Sequence, residues 1–128
     1  MKAGTNGKEC VFMENEKVYQ MEFAKIYPLL VNKAMKKGRT KEEVDTIICW
    51  LTGYDRVELE KLSQGPVLYG EFFQTAPRLN ENRLKIKGVV CKVRVEEIEE
   101  PLMRTIRCLD KMIDELAKGK AMDQILRA

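Results

Sequence analysis

Histidine is missing altogether from the 128 residues, and that absence removes every mechanism that needs imidazole as base, proton shuttle or metal ligand. A phosphate loop is missing too, because Gly65 and Gly70 lack the lysine and the Ser/Thr at the spacing such a loop requires. The four cysteines, Cys10, Cys49, Cys91 and Cys108, stand far apart and never as a C-x-x-C pair, which argues against a zinc site or a thioredoxin-like redox motif. No apolar run approaches the roughly 20 residues of a membrane span. The opening MKAGTNGKECVFMENEK holds no hydrophobic segment of the signal-peptide kind. With reduced thiols, these absences predict a cytoplasmic protein. Charge of one sign is also scarce: 23 Lys and Arg against 20 Asp and Glu leave only +3, mild for a dedicated nucleic-acid binder.

What is present reads as globular. A hydrophobic share of 45% and a charged share of 34% are those of a folded chain, and 128 residues can bury a core without disulfides or a structural metal. Residues 1–20 are expected to be a mobile leader, with Met13 as an alternative start, and residues 21–128 a single helical domain.

The stretch from Gly38 to Asp55, GRTKEEVDTIICWLTGYD, is a helix with its punctuation. Thr40 and Glu43 form the S/T-x-x-E capping box. Val44, Ile47, Ile48 and Leu51 make one buried stripe, and Gly53 stands where a helix end favours positive φ. Before it, Phe23, Ile26, Tyr27, Leu30, Val31, Ala34 and Met35 repeat with helical period. Pro28 either starts the regular helix or kinks it. After it, Asp55 and Glu58 cap a short helix over Arg56–Ser63, Gly65-Pro66 breaks it, and Tyr69–Thr75 forms another, stopped by Ala76-Pro77. Asn80-Glu81-Asn82 reads as loop.

From Leu84 to Val95 the residues alternate and are β-branched, with a change of phase at Lys87-Gly88. The pattern predicts two strands joined there by a turn or bulge. Pro101 then opens the longest helix, whose Leu102, Ile106, Leu109, Ile113 and Leu116 step by four and three. Glu96, Glu97, Glu99 and Glu100 crowd its positive end and Lys118 its negative end. Gly119 stops it, and Met122, Ile125 and Leu126 give a last amphipathic turn. The predicted fold class is mainly α: a compact helical fold with two N-terminal helices, a long C-terminal helix and a small two-stranded ribbon, with α+β as the alternative.

Three blocks, FAKIYPLLVNKAMKKGRTKEEVDTIICWLTGYD, EFFQTAPRLN and GVVCKVRVEEIEEPLMRTIRCLDKMIDELAKGKAMDQILR, resemble one family of small bacterial proteins, filed as domain of unknown function 2200. The resemblance runs from Phe23 to Arg127. It implies no activity, cofactor or catalytic residue. The family pattern carries Gly where Lys92 stands, and the lysine favours an extended segment there over a turn.

Five constellations compete for a function. Ala34, Gly38, Val44 and Ile47 have helix-turn-helix spacing, but the outward face of the second helix would present Glu42 and Asp45 beside Thr40, Lys41 and Thr46, an acidic face that disfavours duplex reading. Two basic clusters, at 33–41 (Lys36, Lys37, Arg39, Lys41) and 83–94 (Arg83, Lys85, Lys87, Lys92, Arg94), could bind an anion or a nucleic-acid backbone, although no aromatic interleaves the second. Asp110, Asp114 and Glu115 read as solvent-facing partners of Arg107 and Lys111 rather than a metal site. Cys49 and Cys108 read as reduced core thiols, and no cysteine has an evident activating base. Trp50 and Tyr54 are candidate interface anchors for a homodimer, if exposed. The expectation is therefore a non-enzymatic protein acting by binding or self-association, with no catalytic residue, cofactor or metal and no membrane partner. The alternative is nucleic-acid or anionic-ligand binding through the two basic clusters.

Overall fold

The long C-terminal helix is apolar along one side, and a helix so patterned must bury that side. In the structure, a computed structural model describing residues 15–127, nearly everything else packs on it. The elements are α1 (Phe23–Met35), α2 (Lys41–Thr52), α3 (Arg56–Gln64), α4 (Tyr69–Gln74), a 3-10 turn (Glu81–Lys85), β1 (Val89–Val90), β2 (Val93–Arg94), a second 3-10 turn (Val95–Glu97), α5 (Pro101–Ala117) and α6 (Met122–Ile125). The fold is mainly α with a small two-stranded antiparallel ribbon. The expectations for residues 1–14, including Cys10 and Met13, lie outside the described residues, while 15–19 are helical.

Along α5, Met103, Ile106, Leu109, Met112, Ile113 and Leu116 are buried, each worth roughly 1.5–3 kcal/mol in removed apolar surface. Around it lie α1, α2, α4, β1, the second 3-10 turn and α6. Phe23 joins α1 to α4 by stacking on Phe72 with ring centroids 4.0 Å apart, and Tyr54 and Phe73 pack on the same Phe72 ring. Only Leu102 of the predicted seam is left at the margin.

The capping boxes at Thr40/Glu43 and Asp55/Glu58 both form. Pro28 neither starts nor ends a helix: α1 begins at Phe23 and runs through the proline, which lies on the exposed side. The ribbon departs further from expectation. Leu84 to Lys87 is not a strand; residues Glu81–Lys85 wind into a 3-10 turn started by Asn80, whose side chain accepts from Asn82 N–H at 2.9 Å. The strands are two residues each, in register Val89↔Arg94 and Val90↔Val93. Their turn is Cys91-Lys92, not Lys87-Gly88.

Lys92 is likewise not extended. Cys91 has φ 51° and Lys92 φ 68°, the positive pair that a two-residue hairpin loop adopts to match the strand twist. The glycine of the family pattern thus marks the turn. An L-residue there costs about 1–2 kcal/mol, which is why the side-chain alternation, blind to backbone strain, pointed elsewhere.

One contact fixes the far end of α2. Gly53 closes the helix with φ 83°, and a Cβ built on it would lie 2.8 Å from both the backbone N and O of Arg78. Gly38 has the same φ sign, 82°, with nothing within 4 Å. Gly38→Ala should therefore cost only the left-handed strain of about 1–2 kcal/mol, whereas Gly53→Ala should lose a further ~1–3 kcal/mol to overpacking. Urea unfolding of the two variants measures the difference; equal losses would mean the Arg78 segment gives way freely.

Candidate functional site

A helix end leaves its last carbonyls unpaired, and those of α2 are answered from far along the chain. Arg78 N–H donates to Thr52 O at 3.0 Å and Asn80 N–H to Leu51 O at 2.9 Å. This pins the segment after Pro77 across the end of α2 and opens a cleft of about 450 Å3 lined by Trp50, Gly53, Arg78, Asn80, Glu81 and Asn82. Trp50 is half-buried, its ring against the core. Neither its indole N–H nor the side chains of Arg78 and Glu81 have a hydrogen-bond or ion-pair partner among the described residues. Asn82 donates from Nδ2 to Arg127 O at 3.3 Å, which orients its amide and leaves Oδ1 available.

A second concavity, of about 570 Å3, lies by Tyr19, Gly70, Glu100 and Leu102. Of its carboxylates, Glu100 is already occupied, accepting from the Tyr19 hydroxyl and from Asn15 Nδ2. The Trp50 cleft holds an unpartnered cation and anion beside an aromatic ring.

Of the two predicted interface anchors, only Trp50 keeps accessible surface. Tyr54 is 7% exposed and donates from its hydroxyl to Phe72 O at 2.7 Å. It cannot anchor a partner, because the α4 carbonyl it satisfies would be orphaned by turning it outward.

The basic residues divide by what they touch. Arg39 grips Glu43 at 2.8 Å and donates to the carbonyls of Leu116 and Lys120, tying the start of α2 to the end of α5. Lys41 reaches Asp45 at 2.9 Å, Arg94 reaches Glu96 at 3.5 Å, and Arg83 donates to Asn80 O. Lys85 is exposed, while Lys36, Lys37, Lys87 and Lys92 are exposed with no carboxylate partner among the described residues. Carboxylates of α5 stand where both clusters approach that helix. Where the hairpin meets α5, Asp110 stands 3.9 Å from the Cys91 thiol; where α1 meets it, one turn on, Asp114 pairs with Lys33.

Two carboxylates expected in solvent are inside. Asp45 is 5% exposed and accepts from Tyr27 Oη and Lys41 Nζ. Burial, then that bond to Asp45, pushes the Tyr27 phenol up to about 12. Glu115 is not the partner of Lys111: it is 6% exposed and held bidentately by Arg127, at 2.6 and 2.8 Å, because the chain beyond Gly119 folds back over α5. Burial pushes its carboxyl up, but Arg127 and Lys120 outweigh that and leave it below the usual range. Arg107 does meet Asp110, at 2.8 Å. No group of three His, Cys, Asp or Glu is disposed to hold a metal, and no helix is long and apolar enough to cross a membrane, among the described residues.

The helix pair of the helix-turn-helix spacing is present, with Ala34, Val44 and Ile47 fully buried. Arg56 of α3 reaches the outward side of its second helix, donating to Thr46 Oγ1 at 2.6 Å.

A family model described as an uncharacterised protein conserved in bacteria, DUF2200, matches residues 17–127. The chain belongs to this family. The crystal structure of uncharacterized protein SP1917 is 44% identical over 87% of this chain and 91% of that one, with a TM-score of 0.83. Comparison with curated proteins gives no match. Neither description names a ligand, a partner or a reaction.

Sequence reasoning reached Trp50 but not Arg78, Asn80, Glu81 or Asn82. A signal was available: the run from Arg78 to Asn82 is polar at every position but Leu79 and follows a helix stop. Its meeting with Trp50 depends on hydrogen bonds between distant segments, which no local period encodes.

Two outcomes follow from these environments. The Arg39 guanidinium and the Thr40 N–H hold the Glu43 carboxyl down at about 2, against 4.5 ordinarily. A depressed folded-state value gives stability present above pH 4.5 and lost as pH falls toward 2. The thermal midpoint should fall through that window, and Glu43→Gln should start lower at neutral pH and fall less steeply. The cysteines should differ in labelling. Cys91 is exposed, whereas Cys108 is fully buried and its thiol is pushed by burial to about 11. In a Cys10→Ser background, a thiol reagent should modify Cys91 first and Cys108 only on unfolding, as peptide mass mapping would register.

Proposed function

We propose that the protein acts by binding rather than by catalysis, in the cytoplasm, and that the Trp50 cleft is its recognition site. One observation carries this: Trp50, Arg78 and Glu81 present an aromatic surface, a cation and an anion, without partners among the described residues, in one concavity. Its volume falls within the ~300–1,000 Å3 typical of small-molecule sites. Against catalysis stand the lack of histidine and thiols that burial pushes away from the thiolate at Cys49, Cys91 and Cys108.

Self-association is a second reading, favoured by the exposed apolar residues Met21, Leu29 and Met35 on the outer side of α1 and its approach. The anion-binding alternative retains Lys36, Lys37, Lys87 and Lys92, but Arg39, Lys41 and Arg94 are already neutralised by carboxylates.

Saturation-transfer NMR against a panel of small aromatic, sugar and carboxylate compounds tests the binding reading. Binders should be found, and their signals should weaken in Arg78→Ala and in Trp50→Leu, with folding verified by circular dichroism. A panel with no binder, or binders indifferent to both substitutions, would remove the cleft as the site. Light scattering addresses the second reading: a monomer across the accessible concentration range ends it.

A further inference from the structure

The polar groups left open in the Trp50 cleft differ in chemistry, and together they describe one class of ligand. An indole face accepts a flat ring by stacking, whatever that ring's identity. Arg78 carries a planar fork of donors suited to a phosphate or carboxylate. Glu81 carries two adjacent acceptors and no donor, and therefore complements two adjacent N–H groups. Asn80 has its Oδ1 engaged by Asn82 N–H, and Asn82 has its Nδ2 engaged by Arg127 O, so each retains one fixed polar atom.

Among nucleobases, guanine presents two neighbouring donors, its ring N1–H and its exocyclic amine. Adenine and cytosine set a ring acceptor beside their amine, which would face a carboxylate lone pair. Uracil and thymine offer one ring N–H flanked by carbonyls. A carboxylate in a stacking cleft thus discriminates by the number of adjacent donors, and the unmatched lone pair of a wrong base is costly to bury. An arginine in the same cleft adds preference for a charged phosphate over the bare nucleoside.

We infer that the cleft takes a guanine nucleotide, with the base on Trp50, its N–H edge on Glu81 and its phosphate on Arg78; the inference rests on the binding reading above. Both Arg78 and Glu81 are exposed, so each can be substituted without disturbing the core.

Trp50 is the chain's one tryptophan, so its emission, excited at the red edge of its absorption, reports on this cleft alone. Titration with guanosine monophosphate should quench it saturably. Adenosine monophosphate and guanosine should each bind about tenfold or more weakly, from the scale of one lost bidentate contact, and inorganic phosphate should leave the emission unchanged. Glu81→Gln should abolish the preference for guanine over adenine, and Arg78→Ala the preference for nucleotide over nucleoside.

A guanine-ended single-stranded RNA separates the two sources of this chemistry. Weaker binding than the mononucleotide assigns a free nucleotide, and tighter binding assigns unpaired guanine in RNA. Equal affinity for the adenine and guanine nucleotides, or no quenching by any of them, overturns the inference. If Trp50-dependent binders from the NMR panel persist in that case, the binding site stands and only its ligand class falls.

Discussion

The fold depends on one helix that cannot stand in water. More than half of the residues of α5 are buried, including the continuous apolar run of Met112 and Ile113 with Leu109 and Leu116. A stripe so wide needs several neighbours, and it takes them from α1, α2, α4, the ribbon and α6. The short elements have little stability of their own, since helices under three turns are marginal in isolation. Docking on α5 makes them cooperative. The Phe23, Phe72 and Phe73 rings, in contact with one another, tie α1 to α4.

Most charge close to this core is kept by pairing, with the buried Arg104 Nε as one departure. Asp45, Glu115 and Arg39 each sit at a junction between elements, and each has its hydrogen-bonding capacity met by a named partner. Such pairs add little net stability relative to apolar packing, but removing one partner strands the other charge. Their contribution here is geometric: Arg39 fixes the start of α2 against the end of α5, and Arg127 holds the final turn down on Glu115. Several lysines and arginines that looked like an anion-binding surface are therefore structural.

The Trp50 cleft holds polar groups that stand outside that pairing. It forms where the end of α2 borrows two backbone N–H groups from the segment after Pro77, and Gly53 allows that segment to approach to backbone contact. The same borrowing that satisfies helix carbonyls carries Arg78 and Glu81 to the rim beside the indole. Structural economy and recognition thus share one contact.

Much of the architecture was legible in the residues themselves. Thr40/Glu43, Asp55/Glu58, Gly53 and the period of α5 specify helices through local hydrogen bonds and one-sided burial, which sequence spacing encodes directly. The ribbon was legible in kind but not in register, since alternation of Leu84 to Val95 says nothing of the positive φ at Cys91 and Lys92 that decides where the turn falls. Burial of Asp45, Tyr54 and Glu115 was not legible, because each is held by a partner on another element, at 18, 18 and 12 residues' separation. The cleft was least legible of all. Trp50 was evident as an unplaced aromatic, but its neighbours come from a loop whose position is set by the unpaired end of a distant helix. Local periodicity determined the elements; only the tertiary structure decided which polar side chains would be spent on holding them together and which would remain to bind.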